Sequence, residues 1–426
     1  MMSSVRFLPV CFALWLCLSS QIQAQGLRLP QEAALNRLGL TMSWWAQAGV
    51  KPTRDRVEFF TVDEQNVFVQ STTGIVTSFH AELGKRLWSH LIGIPEQQSY
   101  PVTTSDQEVV VTIGLHLHSL RKDTGKKVWE LVVKEYPSTS PEVTDENIFV
   151  GTIDGSVLAY DLSKVRSLYT RGMLPQWTER AFLWNFQTPE LIISPPIPFD
   201  RDVVFASRRG IVYSLKDENK VLNYQLETGN SIRTPLGYSR DRVFVSDRYA
   251  RMLCLNAKTG QVQWTFAGGS TMPQQPRVIG DSIYLAPRHE GLISLAVQGG
   301  IFQWRQPRAS AFIAASETRV YARDESKNLL VLDRGTGQLI GTMDMRNFAL
   351  HVENDRTDRI FLASTDGAVV ALREMGSEYP VYHLHPERRP ILPEFSPEDG
   401  EESTETTSDD ASSSQNDNQA EENQNN

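Results

Sequence analysis

The sequence predicts an all-β protein, an eight-bladed β-propeller of four-stranded antiparallel blades closed by an N-terminal strand. Three observations carry that expectation. A unit of about 40 residues recurs along nearly the whole chain. Each unit joins a short β-branched run to a second alternating strand and then, in most copies, sets a Gly four residues ahead of an aromatic. The last unit lacks a tryptophan strand, whereas the start of the chain carries one with no repeat before it.

In order, the first unit reads Val67-Phe68-Val69, Gly74 to Phe79, then Gly84 and Trp88. The second reads Val109-Val110-Val111, Leu115 to Leu120, then Gly125 and Trp129. In the third, Ile148 to Gly151 and Asp154 to Tyr160 are followed by an insertion, Ser163 to Ala181, that delays the aromatic to Trp184. The fourth has Val203-Val204-Phe205, Gly210 to Leu215 and Tyr224. The fifth runs Val243-Phe244-Val245, Met252 to Leu255, Gly260 and Trp264, and the sixth Ile283-Tyr284-Leu285, Gly291 to Leu295, Gly300 and Trp304. The seventh, Val320-Tyr321, Leu329 to Asp333 and Gly337, has no aromatic, and its outer strand is expected at Gln338 to Met343. The eighth ends at Asp366 to Leu372.

Pairing the strand around Trp44 with the eighth unit removes both mismatches and leaves no blade with an open edge. The competing arrangement completes that blade locally with Tyr379 to Leu384 and leaves Trp44 outside. Within a unit, alternating apolar and small residues give two buried faces, and Asp-Gly or Thr-Gly supplies the tight turn between strands. A Trp at a fixed offset fills the space between wedge-shaped blades, so Trp44, Trp88, Trp129, Trp184, Trp264 and Trp304 read as architecture.

The ends differ from the body. Residues 1–24 hold one early cation, Arg6, an apolar run from Phe7 to Leu18 and a small, polar close, the layout of a secretory signal peptide. Trp15 and Leu16 before Cys17 are wrong for a lipoprotein signal, so a lipid anchor is not expected. Cys11 and Cys17 fall in the leader, leaving Cys254 without a disulfide partner. The propeller is expected over 25–385, followed by a proline-rich linker, 386–397, and an acidic tail, 398–426, too polar to order itself. That tail holds ten carboxylates and no Lys or Arg, so the net charge of −9 leaves the rest at about +1. With no basic stripe, nucleic acid is excluded as a partner.

The run Leu253-Cys254-Leu255-Asn256-Ala257-Lys258-Thr259-Gly260-Gln261-Val262-Gln263-Trp264 resembles the tryptophan-docking repeat of pyrroloquinoline-quinone propellers, and Leu120 to Trp129 is a second match. The resemblance spans roughly Leu40 to Leu372. One branch of that family, the quinoprotein dehydrogenases, implies an axial quinone with calcium, a catalytic Asp and often a disulfide between adjacent cysteines. This chain has no adjacent cysteines and no assignable calcium set, so no catalytic or cofactor-binding residue carries over. The other branch includes the propeller lipoprotein of the outer-membrane β-barrel assembly machinery, similar in length, signal peptide and blade count. It implies a scaffold without a cofactor.

Candidate sites are few. His116 and His118 share one face of a strand, but no third ligand is identifiable and no metal is expected; His383 and His385 repeat the spacing beside Pro386. The insertion, containing Trp177, is expected to form a short helix and loop that either caps blade three or binds a partner. Arg201, Arg208 and Arg209, with Arg248 and Arg251 one blade later, fall in inter-strand turns and are candidates for gathering on one face around an anion. The expected function is a monomeric, non-catalytic scaffold in the periplasm or another extracytoplasmic space, binding a protein or envelope component through a propeller face. The alternative is a divergent quinoprotein oxidoreductase.

Overall fold

The computed structural model describes residues 29–94 and 97–384. The leader, 1–24, the linker, 386–397, the tail, 398–426, and His385 lie outside them. Among the described residues, eight sheets of four antiparallel strands follow one another along the chain. They form an eight-bladed propeller, and no helix is long and apolar enough to cross a membrane. Strands are lettered A to D from the axis outward. Blade 5 shows the pattern, with A at Gly237–Ser239, B at Arg242–Ser246, C at Arg251–Asn256 and D at Val262–Ala267.

B and C strands are buried on both sides because each blade is packed between two others. Val67, Val109, Ile148, Val203, Val243 and Ile283 are all fully buried. The A strands escaped the sequence reading. Several are only two residues long, as at Thr103–Thr104, Glu142–Val143 and Leu350–His351.

The ring closes through its N-terminus. Strand Leu40–Gln47 pairs with Ala368–Glu374 from Leu40↔Glu374 to Gln47↔Ala368, and becomes the D strand of blade 8. Tyr382 makes one isolated bridge, to Thr357, and completes no blade.

Every C–D ladder carries a bulge one residue ahead of the docking position: Ser43 before Trp44, Leu87 before Trp88, Gln263 before Trp264. The extra residue increases local twist and re-aims the aromatic toward the next blade. There the indole Nε1 donates to a backbone oxygen in the C–D turn: Trp44 to Ala81 (2.7 Å), Trp88 to Lys122 (2.8 Å), Trp184 to Asp217 (2.6 Å), Trp264 to Val297 (3.0 Å) and Trp304 to Arg334 (2.8 Å).

Trp129 differs, because blade 3 has no glycine turn to receive it. Helix α2 (Leu162–Thr170), capped by the Asp161 side chain, stands there instead. Leu162, Val165 and Leu168 bury against Trp129 and Leu131, and Trp129 Nε1 donates to Glu108 at 2.9 Å. The insertion therefore caps the seam between blades 2 and 3. Blade 7 also departs, with Gly341 at its docking position. A Cβ there would lie 2.3 Å from Leu38 Cδ2, so the missing side chain leaves room for Leu38, just after helix α1 (Glu32–Arg37).

The turn glycines explain the Gly-to-aromatic spacing. Gly300 has φ +61°, and a Cβ on it would stand 2.4 Å from the Trp264 ring. Gly300→Ala forces a left-handed alanine against a packed indole, at an expected cost of about 2 kcal/mol. Urea unfolding followed by circular dichroism measures it, and Gly299→Ala, whose nearest neighbour would be 3.5 Å away, separates the steric part from the backbone part.

Candidate functional site

Antiparallel order puts A–B and C–D turns at one face of the ring and B–C turns, with the blade-to-blade connections, at the other. Arg208 and Arg209 occupy the B–C turn of blade 4, where Gly210 has φ +98° and a Cβ would meet the Asn230 carbonyl at 1.9 Å. The connection into blade 5 thus runs directly over that turn. Thr228 Oγ1 fastens it, donating to the carbonyls of Gly210 (2.9 Å) and Asn230 (2.8 Å).

Arg248 projects from the B–C turn of blade 5. Asp247 shapes that turn by accepting from Tyr249 N (2.9 Å), Arg251 N (3.1 Å) and Asn230 Nδ2 (3.0 Å). Arg208, Arg209 and Arg248 are brought together around a cavity of about 510 Å³, along with Arg233, Ser231, Leu191 and Glu190. All four arginines are exposed, and among the described residues none has an ion-pair partner. Arg233 was missed because its connecting segment carries no repeat signature.

The other candidates do not join them. Arg251 is drawn back by Asp247 Oδ2 at 3.1 Å and by the Thr228 carbonyl. Arg201 precedes strand B of blade 4, so it lies on the opposite face, paired with Glu218. The expectation that it gathers with Arg208 is corrected. Trp177 belongs to a C–D connection and is also on that opposite face, its ring 4.1 Å beneath Arg180.

The axis is lined by ion pairs. Arg277 meets Glu353 at 2.9 Å and Asp355 at 2.7 Å, and Arg356 lies 3.6 Å from Glu64 and 3.7 Å from Asp355. Burial works against the charge on Arg277, but Asp355 and Glu353 outweigh it and hold the guanidinium charged. Glu142 has less compensation. Burial pushes its carboxyl up to about 7, against the pull of Arg356. These residues do not fit a calcium-bound quinone, since Glu353 and Asp355 are already committed to Arg277. Cys254 is buried, with its thiol pushed up to about 12, and is no nucleophile.

In blade 2, His116 and His118 acquire the neighbour that sequence reading did not find. Glu130 Oε1 lies 3.0 Å from His116 Nδ1 and 3.8 Å from His118 Nδ1. Burial lowers the His118 pKa, with Lys127 and His116 adding to the effect and Glu130 opposing it. Glu130 itself is held below its usual range. Burial opposes that, but hydrogen bonds from Lys127 and His116 prevail.

Docked aromatics, glycine turns and eight closed blades define a propeller of the pyrroloquinoline-quinone repeat type. The sequence pattern described as outer membrane protein assembly factor BamB matches residues 72–234 and 182–377. The chain belongs to that family. It is 22% identical over 340 residues to outer membrane protein assembly factor BamB of Moranella endobia, covering 73% of this chain and 84% of that one. It is 24% identical over 218 residues to the protein of the same name from Nitrosomonas eutropha, a match spanning 49% of this chain and 47% of the relative. The crystal structure of BamB from Moraxella catarrhalis superposes with TM-score 0.60 at 15% identity, over 78% of this chain and 97% of that one. The crystal structure of the computationally designed Ika8 protein gives a TM-score of 0.59 at 15% identity, over 76% of this chain and 98% of that one. At these identities the solved structures speak to fold alone. Family membership supports a non-enzymatic scaffold rather than a quinoprotein oxidoreductase.

Proposed function

We propose that this protein is an extracytoplasmic scaffold in outer-membrane protein assembly, docking an acidic segment of a protein partner on the B–C face at Arg208, Arg209, Arg233 and Arg248. The relatives' shared name supports the process, and the signal-peptide layout of residues 1–24 supports export. The observation that carries the site is the set of four exposed guanidiniums around one cavity, with Glu190 as the single carboxylate in its lining. Unpaired arginines on a face held rigid by Gly210 and Asp247 are pre-organised for carboxylates, which they bind in bidentate fashion.

Arg208→Glu/Arg209→Glu/Arg248→Glu reverses three of the four charges without touching the core. Each lost charge-assisted contact is worth about 1.5–3 kcal/mol, so partner affinity is expected to fall at least about a hundredfold. The melting temperature stays near wild type, because exposed substitutions cost little. A photo-cross-linker at Ser231 is expected to yield a defined protein adduct in envelope preparations that the triple variant loses, while one at Trp177 yields none. Equal adducts from both faces, or an adduct that survives the charge reversal, would overturn the assignment.

A further inference from the structure

Blade 2 carries a second cluster that the scaffold role does not use. His116 and His118 alternate on strand His116–Arg121, so both imidazoles stand on one side of it. Their rings are parallel, with centroids 5.7 Å apart and 8° between planes. Strand Lys127–Val132 pairs alongside and places Glu130 directly opposite His118. One ligand atom from each of the three residues lies within 4.8 Å of the others. Donors on a tetrahedral ion with bonds of about 2.0–2.2 Å stand about 3.3–3.6 Å apart, and the two measured separations from Glu130 Oε1 bracket that spacing.

Two further features point to an ion. His118 is 9% exposed, and its Nδ1 is buried without a hydrogen-bond partner, though it faces the carboxylate. A buried polar atom left unpaired is costly, and a cation between the three donors would satisfy it. Lys127 Nζ holds the other oxygen, Oε2, at 2.6 Å, leaving Oε1 turned toward the histidines as a single donor. His116 also lines a cavity of about 310 Å³ with Gln97, Gln98, Gly114, Leu115 and Tyr136. The cluster therefore borders open space where a further ligand fits.

We propose that His116, His118 and Glu130 form a binding site for a divalent transition-metal ion, zinc by donor set, with a fourth position left for water or a donor from outside the chain. Two imidazole nitrogens and one carboxylate oxygen match zinc, whereas calcium and magnesium require oxygen ligands throughout.

Tag-free full-length protein titrated with Co²⁺ is expected to develop visible ligand-field bands that saturate at one equivalent. Zn²⁺ displaces them, and excess Mg²⁺ does not. Zinc is also expected to raise the melting temperature, since it binds the folded chain. His116→Ala and Glu130→Gln, both at partly exposed positions, should each weaken binding at least about tenfold. His289→Ala, at a histidine of another blade, should leave binding unchanged. Absence of saturable binding, or binding that both His116→Ala and Glu130→Gln retain, would overturn the site and mark any bound metal as an adventitious ion only.

Discussion

Trp44→Ala is expected to cost about 3–5 kcal/mol, and removal of residues 29–47 to abolish cooperative folding. Trp44 is 8% exposed and packs between Phe79 of blade 1 (6.3 Å between centroids) and Phe361 of blade 8 (6.2 Å). Its ring also covers Gly84, where a Cβ would stand 2.5 Å away, while its Nε1 bonds to Ala81. One side chain thus fills the seam where the two ends of the ring meet. Without the strand, Ala368–Glu374 becomes a free edge beside buried Phe361, a template for aggregation. Urea unfolding and size-exclusion chromatography measure both effects. Trp44→Phe keeps most of the packing and should lose about 1 kcal/mol for the hydrogen bond. Trp177→Ala, on an exposed loop, should stay within about 0.5 kcal/mol of wild type. A deletion variant with the wild-type unfolding midpoint would show that the ring is held elsewhere.

Those features were legible in the sequence because one local device repeats. A bulge, a left-handed glycine and an aromatic at fixed offsets leave the same trace in unit after unit. What breaks the repeat was not legible. Blade 7 reads as lacking its aromatic, and only the structure shows Leu38 seated over Gly341 from about 300 residues away along the chain. The A strands were hidden because they are short and face a charged axis, so Glu142 and Arg277 interrupt any apolar alternation. Turn position along the chain also does not give the face: strand B of blade 4, Asp202–Ser207, runs between Arg201 and Arg208 and puts them at opposite ends of the blade. Glu130 was missed for a related reason. The bulge at Val128 sets which residue of the outer strand faces His118, and that register is a product of folding.

The same seam is fastened a second time, by charge, and Arg359→Met is expected to cost about 3–5 kcal/mol. Arg359 of blade 8 has a side chain only 2% exposed, and Glu82, in the C–D turn of blade 1, is 11% exposed. The guanidinium donates through Nε to both Glu82 oxygens (3.1 Å each) and through Nη2 to Oε2 (3.0 Å), while Nη1 reaches Asp358 (3.2 Å) and Ser377 (3.1 Å). Glu82 immediately follows Ala81, the acceptor of the Trp44 indole, so ion pair and docked ring hold one turn. Burial pushes the Glu82 carboxyl above its ordinary range, and Arg359 is the chief force opposing that shift. With the arginine gone, the folded-state pKa rises further above the unfolded value. The penalty of a buried, unpaired carboxylate is then present above that pKa and relieved as pH falls through it. The deficit of Arg359→Met, measured by urea unfolding, should therefore be largest at alkaline pH and shrink as the pH falls toward the ordinary carboxylate range. Glu82→Gln in the same chain should recover part of it at the higher pH, because removing both charges leaves fewer buried groups unpaired than removing one. A deficit that is independent of pH and strictly additive with Glu82→Gln would mean that Arg359 acts by packing alone and that closure rests on Trp44.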